Sequence, residues 1–319
     1  MTAIERNSDG NAAHFGDRLT AAVRRIGTAV LVGLDPRFSQ LPPALQSRNP
    51  VDFATQAEAF RRFCREVIDV VAELVPAVKP QAAFFEQLGP PGMQALADVI
   101  GYARSKGLLV IVDGKRNDIG STATAYAEGY LGEAPPSAWG GDALTVSPYL
   151  GEDSLSPFVE TAGQRGAGLF VLVKTSNPGG GMFQDLLAEG RPVYRHVAEY
   201  VERVAEKTAG TSGYGIAGAV IGATYPEQAV ELRACMPHTW FLVPGYGSQG
   251  ATARDVAGAF AQDGLGAIVN NSRGIIFAHA RPEFKSLGAS RWQDAVAAAT
   301  RRMIDELRTD TPAGKLGRS

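Results

Sequence analysis

Eight short apolar runs, each ending in small or polar residues, recur along the chain: "TAVLVGLDP" (28–36), "PAVKPQ" (76–81), "LLVIVDGK" (108–115), "DALTVSP" (142–148), "GLFVLVKTS" (168–176), "GAVIGAT" (218–224), "TWFLVPGYG" (239–247) and "GAIVNNSRG" (266–274). Near-continuous apolar runs, rather than strict alternation, mark strands covered on both faces. Helical patterns fill the gaps. Phe53, Phe60, Phe63, Val67, Val70 and Leu74 recur with a period near 3.5 behind Asp52, a suitable cap. Met93, Leu96, Ile100 and Ala103 form a second stripe ending near Gly107, and Thr252 is placed to cap a helix carrying Val256 and Phe260. Trp292, Val296, Met303 and Leu307 mark the last helix.

Eight strands alternating with helices over 319 residues predict an α/β fold, a (β/α)8 TIM barrel forming a single domain with long βα-loop insertions. The competing architecture, a doubly wound open sheet, lacks its dinucleotide turn here, because "GLDPRFSQL" after the first strand is not GxGxxG. The barrel is expected over 14–308. A disordered N-terminal tail (1–13) and a flexible C-terminal tail (309–319), both polar and glycine-bearing, are expected around it. Two segments exceed what a minimal barrel needs, near 127–141 and 177–192. The second contains Gly179–Gly181, which taken alone reads as a flexible turn rather than a phosphate cradle.

The balance of charge excludes some functions. With 31 Lys and Arg against 33 Asp and Glu and no basic block, there is no electrostatic footprint for nucleic acid. No window approaches 18 consecutive apolar residues, so no membrane span is expected, and the polar start "MTAIERNSDGNAAHFG" carries no signal-peptide core. Cys64 and Cys235 have no CxxC spacing, which implies neither a disulfide framework nor a zinc site. The cytoplasm is the expected setting. His14, His196, His238 and His279 show no ligand spacing and read as structural or surface residues.

In such a barrel the working site lies at the C-terminal ends of the strands. Those ends supply Asp35, Lys79, Asp113 with Lys115, Thr145 to Ser147, Ser176 with Asn177, Thr224, Gly245 to Gln249, and Asn270 to Arg273. Asp113 and Lys115 are two apart on one strand, so both side chains are expected on one face. A lone Asp-x-Lys is most simply a surface ion pair. Here Lys79 ends the preceding strand and Asp118 follows, so an alternating Lys–Asp–Lys–Asp array would compensate every charge while fixing one ammonium in space. After strands seven and eight come "PGYGSQG" and "NNSRG", where this fold commonly binds phosphate. Arg273 supplies a planar fork for a phosphate dianion and Gln249 an amide donor.

"DGKRNDIGST" resembles the Asp-x-Lys-x-x-Asp-Ile signature of the orotidine 5′-monophosphate (OMP) decarboxylase family, and the resemblance runs from "VGLDPR" to "NNSRG" through "VKPQAAFFEQLG", "DALTVSPYLG", "VLVKTSNPGG" and "PGYGSQG". It is closest in pattern to that family's longer bacterial branch. The resemblance implies conversion of OMP to UMP and CO2 by a homodimer with no cofactor and no metal. It implies that Lys115 protonates C6 of the pyrimidine and that Asp113 lies against the substrate carboxylate. Lys79 and Asp35 would meet the ribose, and Asp118, with Ile119 and Thr122, would reach into the partner subunit's site. Ser176 would bind the pyrimidine edge, with Thr145 as another candidate, while Gln249 and Arg273 hold the phosphate.

Three other readings stay open at this level. Magnesium-dependent sugar-phosphate decarboxylases such as the 3-keto-gulonate 6-phosphate enzymes share Asp-x-Lys-x-x-Asp, but resemble proteins needing a Glu near the end of strand two, where this chain has Lys79. A class I aldolase would use a Schiff-base lysine, with Lys174 on strand five as candidate. A non-catalytic phosphate-ligand barrel would bind without turnover and would have no need of a lysine between two carboxylates.

Overall fold

The computed structural model describes residues 13–46, 52–133, 136–247 and 250–317. Eight parallel strands close into a barrel: β1 (Val30–Leu34), β2 (Ala77–Pro80), β3 (Leu109–Arg116), β4 (Ala143–Val146), β5 (Gly168–Lys174), β6 (Ala217–Ile221), β7 (Phe241–Val243) and β8 (Ala267–Asn271). Each pairs with the next, and β8 returns to β1 through Val30 opposite Val269. All eight expected runs are strands of this one sheet. Helices α1 (Phe15–Ile26), α2 (Phe53–Val71), α3 (Gly89–Ser105), α4 (Gly120–Tyr130), α5 (Glu152–Arg165), α6 (Val193–Lys207), α7 (Pro226–Cys235) and α8 (Trp292–Asp310) accompany it.

The helix signals act as expected at their starts and overreach at their ends. Asp52 accepts a hydrogen bond from the Thr55 amide at 2.7 Å, which satisfies one of the free amides of the first turn of α2. The buried stripe is Ala57, Phe60, Phe63, Cys64, Val67, Ile68 and Val71, whereas Phe53 is exposed and Leu74 lies beyond the last turn. Thr252 and Asp255 form a reciprocal capping box, yet that helix stops at Val256 and tightens into a 3-10 turn before Phe260.

α1 precedes the first strand and closes the N-terminal end of the barrel. Phe15 packs edge-on against Phe170 at 6.0 Å between ring centroids, in space left by Gly168, where a Cβ would stand 2.1 Å from the Phe15 ring. On the same end Asp142, 2% exposed, accepts from Arg18 at 2.7 Å, Arg104 at 2.8 Å and the Val110 amide at 2.8 Å. This buried carboxylate staples the barrel floor and is remote in role from the strand tips.

The two long segments lie at opposite ends. The one near 127–141 precedes β4 and is therefore an αβ connection on the N-terminal face, with Tyr130 and Trp139 in ring contact at 5.9 Å. That corrects the expectation of two βα-loop insertions. The second follows β5 at the mouth. It holds a short helix (Gly181–Gln184) and a hairpin pairing Leu187 with Pro192. The C-terminal segment also departs from expectation. α8 continues to Asp310, and the following turn over Pro312–Lys315 buries Ala313 and Leu316, so through residue 317 it packs against the barrel rather than fraying.

Candidate active site

The strand tips converge on a cleft of about 710 Å3 lined by Asp35, Arg37, Lys79, Gln81, Asp113, Lys115, Thr145, Ser176, Asn270 and Arg273 among others. Four cationic side chains face two carboxylates there, a balance suited to an anionic ligand. Asp113 is the hub. It is 7% exposed and takes donors on both oxygens. Lys79 Nζ (2.7 Å) and Gln81 Nε2 (3.0 Å) donate to Oδ2, while Lys115 Nζ (2.5 Å) and Thr145 Oγ1 (3.0 Å) donate to Oδ1.

The convergence of Asp113 and Lys115 has a different cause from simple strand alternation. Between the pairs Val112–Leu144 and Arg116–Val146 the register slips, so Asp113, Gly114 and Lys115 of β3 stand opposite Thr145 alone. Lys115 takes φ +46°, the left-handed region that a side chain with a Cβ disfavours. The conformation is held because the Lys115 amide donates to Thr145 Oγ1 at 2.9 Å and its ammonium to Asp113. Thr145 therefore braces the strained turn. Arg116 points away to pair with Glu86 and to donate to the Tyr130 hydroxyl at 3.1 Å.

Burial by itself would push the Asp113 carboxyl up, but the ammonium groups of Lys79 and Lys115 outweigh it and hold the group well below the usual carboxylate range. Lys79, 3% exposed, is likewise opposed by burial, yet Asp113 and Asp35 raise its affinity for its proton. Both members of the buried pair thus carry charge. Lys115 differs in access: its side chain is 48% exposed at the cleft.

Of the sequence-predicted residues, the structure brings Asp35, Lys79, Asp113, Lys115, Ser176 and Arg273 to this one cleft. Asp118, Ile119 and Thr122 do not line it. Asp118 accepts from the Ile119 amide at 2.8 Å, and Ile119 is 56% exposed. The expected four-charge array is, within one chain, a Lys79–Asp113–Lys115 triad with Asp35 nearby. Gln249 lies outside the described residues. Arg273 is exposed at the mouth and makes no ion pair among the described residues, and Gly245 (φ +104°) and Gly247 (φ +68°) turn the chain beside it.

Lys174 does not line the cleft. It is 1% exposed, pairs with Asp185 of the β5 loop and lies 4.4 Å from the Tyr225 ring centroid, which removes it as a Schiff-base candidate. Gln81 and Gln184 were missed. Gln81 lies two residues past Lys79 and so shares its face, a signal the spacing carried. Gln184 accepts from the Thr175 amide at 3.0 Å and donates to its hydroxyl at 2.7 Å, a contact made by loop folding alone.

A closed (β/α)8 barrel with an ion-paired lysine at its mouth, and after its last strand an arginine with no ion pair among the described residues, belongs to the class of barrels whose strand-tip cleft carries the charge to hold an anionic ligand. The family model for orotidine 5′-phosphate decarboxylase / HUMPS matches residues 30–285. An orotidine 5′-phosphate decarboxylase of Rhodopirellula baltica is 58% identical over 298 residues, covering 92% of this chain and 99% of that protein. One from Deinococcus radiodurans is 43% identical over 266 residues, covering 83% and 89%. Among solved structures, a putative orotidine 5′-phosphate decarboxylase from Streptomyces avermitilis superposes with a TM-score of 0.78 at 35% identity, covering 96% of this chain and 99% of that one. The Leishmania donovani OMP decarboxylase gives a TM-score of 0.72 at 32% identity, covering 93% and 98%. The chain belongs to the orotidine 5′-phosphate decarboxylase / HUMPS family.

Proposed function

We propose that this chain is a carboxy-lyase converting OMP to UMP and CO2, with Lys115 delivering the proton to C6. The carrying observation is the pair of bonds from Lys79 and Lys115 to the two oxygens of buried Asp113, which leaves Lys115 as the more accessible of the two ammonium groups at the cleft. The identity to orotidine 5′-phosphate decarboxylases over most of the chain supports the same reaction.

The chemistry needs such an arrangement. Breaking the C6–carboxylate bond leaves its electron pair in an sp2 orbital in the ring plane, out of conjugation with the π system. Stabilisation must then come from fixed charge and prompt protonation. Lys115 Nζ supplies the proton as CO2 departs and recovers one from water afterwards. Asp113, saturated with donors, holds that ammonium in place and opposes the substrate carboxylate. A reaction this slow unaided calls for a barrier reduction of about 23 kcal/mol, at the top of the usual range, which one lysine does not provide. Binding energy from the phosphate on Arg273 and the loop after β7 supplies more by aligning the ring.

The reading extends to a homodimer in which Asp118, Ile119 and Thr122 complete the partner's site. It is supported by the exposure of Ile119 and Thr122 and by the absence of all three residues from their own chain's cleft. Residues 14–308 form the catalytic barrel on this reading. The test follows the orotate absorbance of OMP with purified protein in EDTA, beside Lys115→Ala. Loss of the band with wild type and not with the variant is expected. Equal turnover by both would remove Lys115 from the chemistry, and binding without turnover by wild type would leave a ligand-binding barrel.

A further inference from the structure

Asn270, on β8, is 8% exposed and lines the cleft. Its Nδ2 donates to Ser272 Oγ at 3.3 Å, whereas its Oδ1 is buried and has no hydrogen-bond partner among the described residues. A second acceptor is in the same condition: Oδ1 of Asp35, which follows β1, is also buried and unpartnered among them. The two strands are hydrogen-bonded neighbours, with Leu31 opposite Asn270. Gly33 makes the room between them. A Cβ there would stand 1.9 Å from Ser272 Oγ and 3.0 Å from Asn270 Oδ1.

A buried acceptor without a donor is costly, and most such groups in folded proteins are satisfied by something. Here two such acceptors belong to residues on adjacent strand ends that line one cleft, so a ligand satisfying both presents neighbouring donors. The phosphate and carboxylate oxygens of a nucleotide only accept, and the orotate ring offers a single N–H. A ribose offers two adjacent hydroxyls. Gly33 is in register with Lys79, and the Asp35 carboxylate acts on the Lys79 ammonium, which places this pair of acceptors beside the triad.

We propose that Asn270 Oδ1 accepts a hydrogen bond from one of the two ribose hydroxyls, next to Asp35, and so helps select ribonucleotide over deoxyribonucleotide. This rests on the nucleotide reading above and deepens it by naming a residue that sets sugar selectivity. A polar group left unpaired by a deoxy analogue penalises that analogue specifically.

The experiment measures kcat/KM for OMP, 2′-deoxy-OMP and 3′-deoxy-OMP with wild type, Asn270→Ala and Asn270→Leu. The leucine variant keeps the side-chain volume and guards against collapse at the alanine site. In both variants the preference for OMP over one of the two deoxy analogues is expected to fall about tenfold, the worth of one hydrogen bond. Unchanged ratios in both variants, or an equal loss on all three substrates, would overturn the assignment. A wild-type chain that leaves OMP intact would instead overturn the proposed function.

Discussion

Lys79→Met removes one of the two ammonium groups from Asp113 while keeping the length and burial of the side chain. Lys79 and Asp113 are both almost fully buried and bond at 2.7 Å. Deleting one partner of such a pair costs about 3–5 kcal/mol, because the other charge stays buried. Asp113 keeps its bonds to Lys115, Gln81 and Thr145, which places the loss at the low end, about 3 kcal/mol. For a chain of this size that corresponds to a fall in Tm of about 4–5 °C. The pH dependence follows from the direction of the Asp113 shift. Its folded value lies below the unfolded value of about 3.9, so its contribution is fully present above that pH and is lost as the pH falls toward the folded value. Without Lys79, burial is less opposed and the folded value moves up, so the variant has lost most of this contribution. The gap between wild type and variant is therefore full at pH 7 and narrows below about pH 4. Lys79 itself has a raised folded value, so its own contribution is lost only in alkali and adds no slope between these points. Thermal melts followed by circular dichroism at pH 7 and pH 3.5 measure both. A gap of the same size at the two pH values would refute the argument that charge on Asp113 is what Lys79 stabilises.

Arg273→Ala is expected to raise KM for OMP and weaken UMP by about 10- to 100-fold, the worth of a charge-assisted bond, while leaving uridine affinity unchanged. Equal losses for uridine would place Arg273 outside a phosphate site. For the proposed dimer, Lys115→Ala and Asp118→Ala are each expected to be nearly inactive alone. Dissociated, mixed in equal amounts and reassembled, they should recover about a quarter of wild-type activity, since half the dimers are mixed and each has one intact site. No recovery would mean that Asp118 serves its own chain.

The eight strands were legible because parallel strands covered on both faces must be apolar throughout, and runs such as 108–112 and 168–173 are too short for a buried helix and rich in β-branched and aromatic residues. The site's position was legible for a related reason. Charge at the end of such a run, as at Asp113 and Lys115, is tolerated only when paired. Less legible was what the backbone does between them. Nothing in "VDGKR" announces that Lys115 adopts φ +46° or that three residues face Thr145. That geometry depends on a hydroxyl thirty residues away, and a tertiary contact leaves no local mark. Periodicity failed where it was extended past its element. Phe53 and Leu74 fit the stripe of α2 numerically, yet one stands on the exposed face of the first turn and the other follows the last. Asn270 was seen as a strand-end residue, but its unpaired oxygen is visible only once Ser272 has taken the other end of the amide.

The same network explains why two lysines of one triad do different work. Asp113 spends both oxygens on four donors inside the protein, and the ammonium groups of Lys79 and Lys115 hold it as an anion. Lys79 lines the same cleft but is almost fully buried, and its proton is held there by Asp113 and Asp35. Lys115 alone combines a bond to that anion with a side chain open to the cleft. Its strained backbone keeps it there. A lysine with ordinary extended geometry would follow the pleat of β3, whereas the slip against β4 turns both its amide and its ammonium toward Thr145 and Asp113. Thr145 thus restrains Lys115 twice, through the main chain and through the carboxylate that anchors its ammonium. The entropic cost of fixing a flexible lysine is met in the folding of the barrel, before substrate arrives.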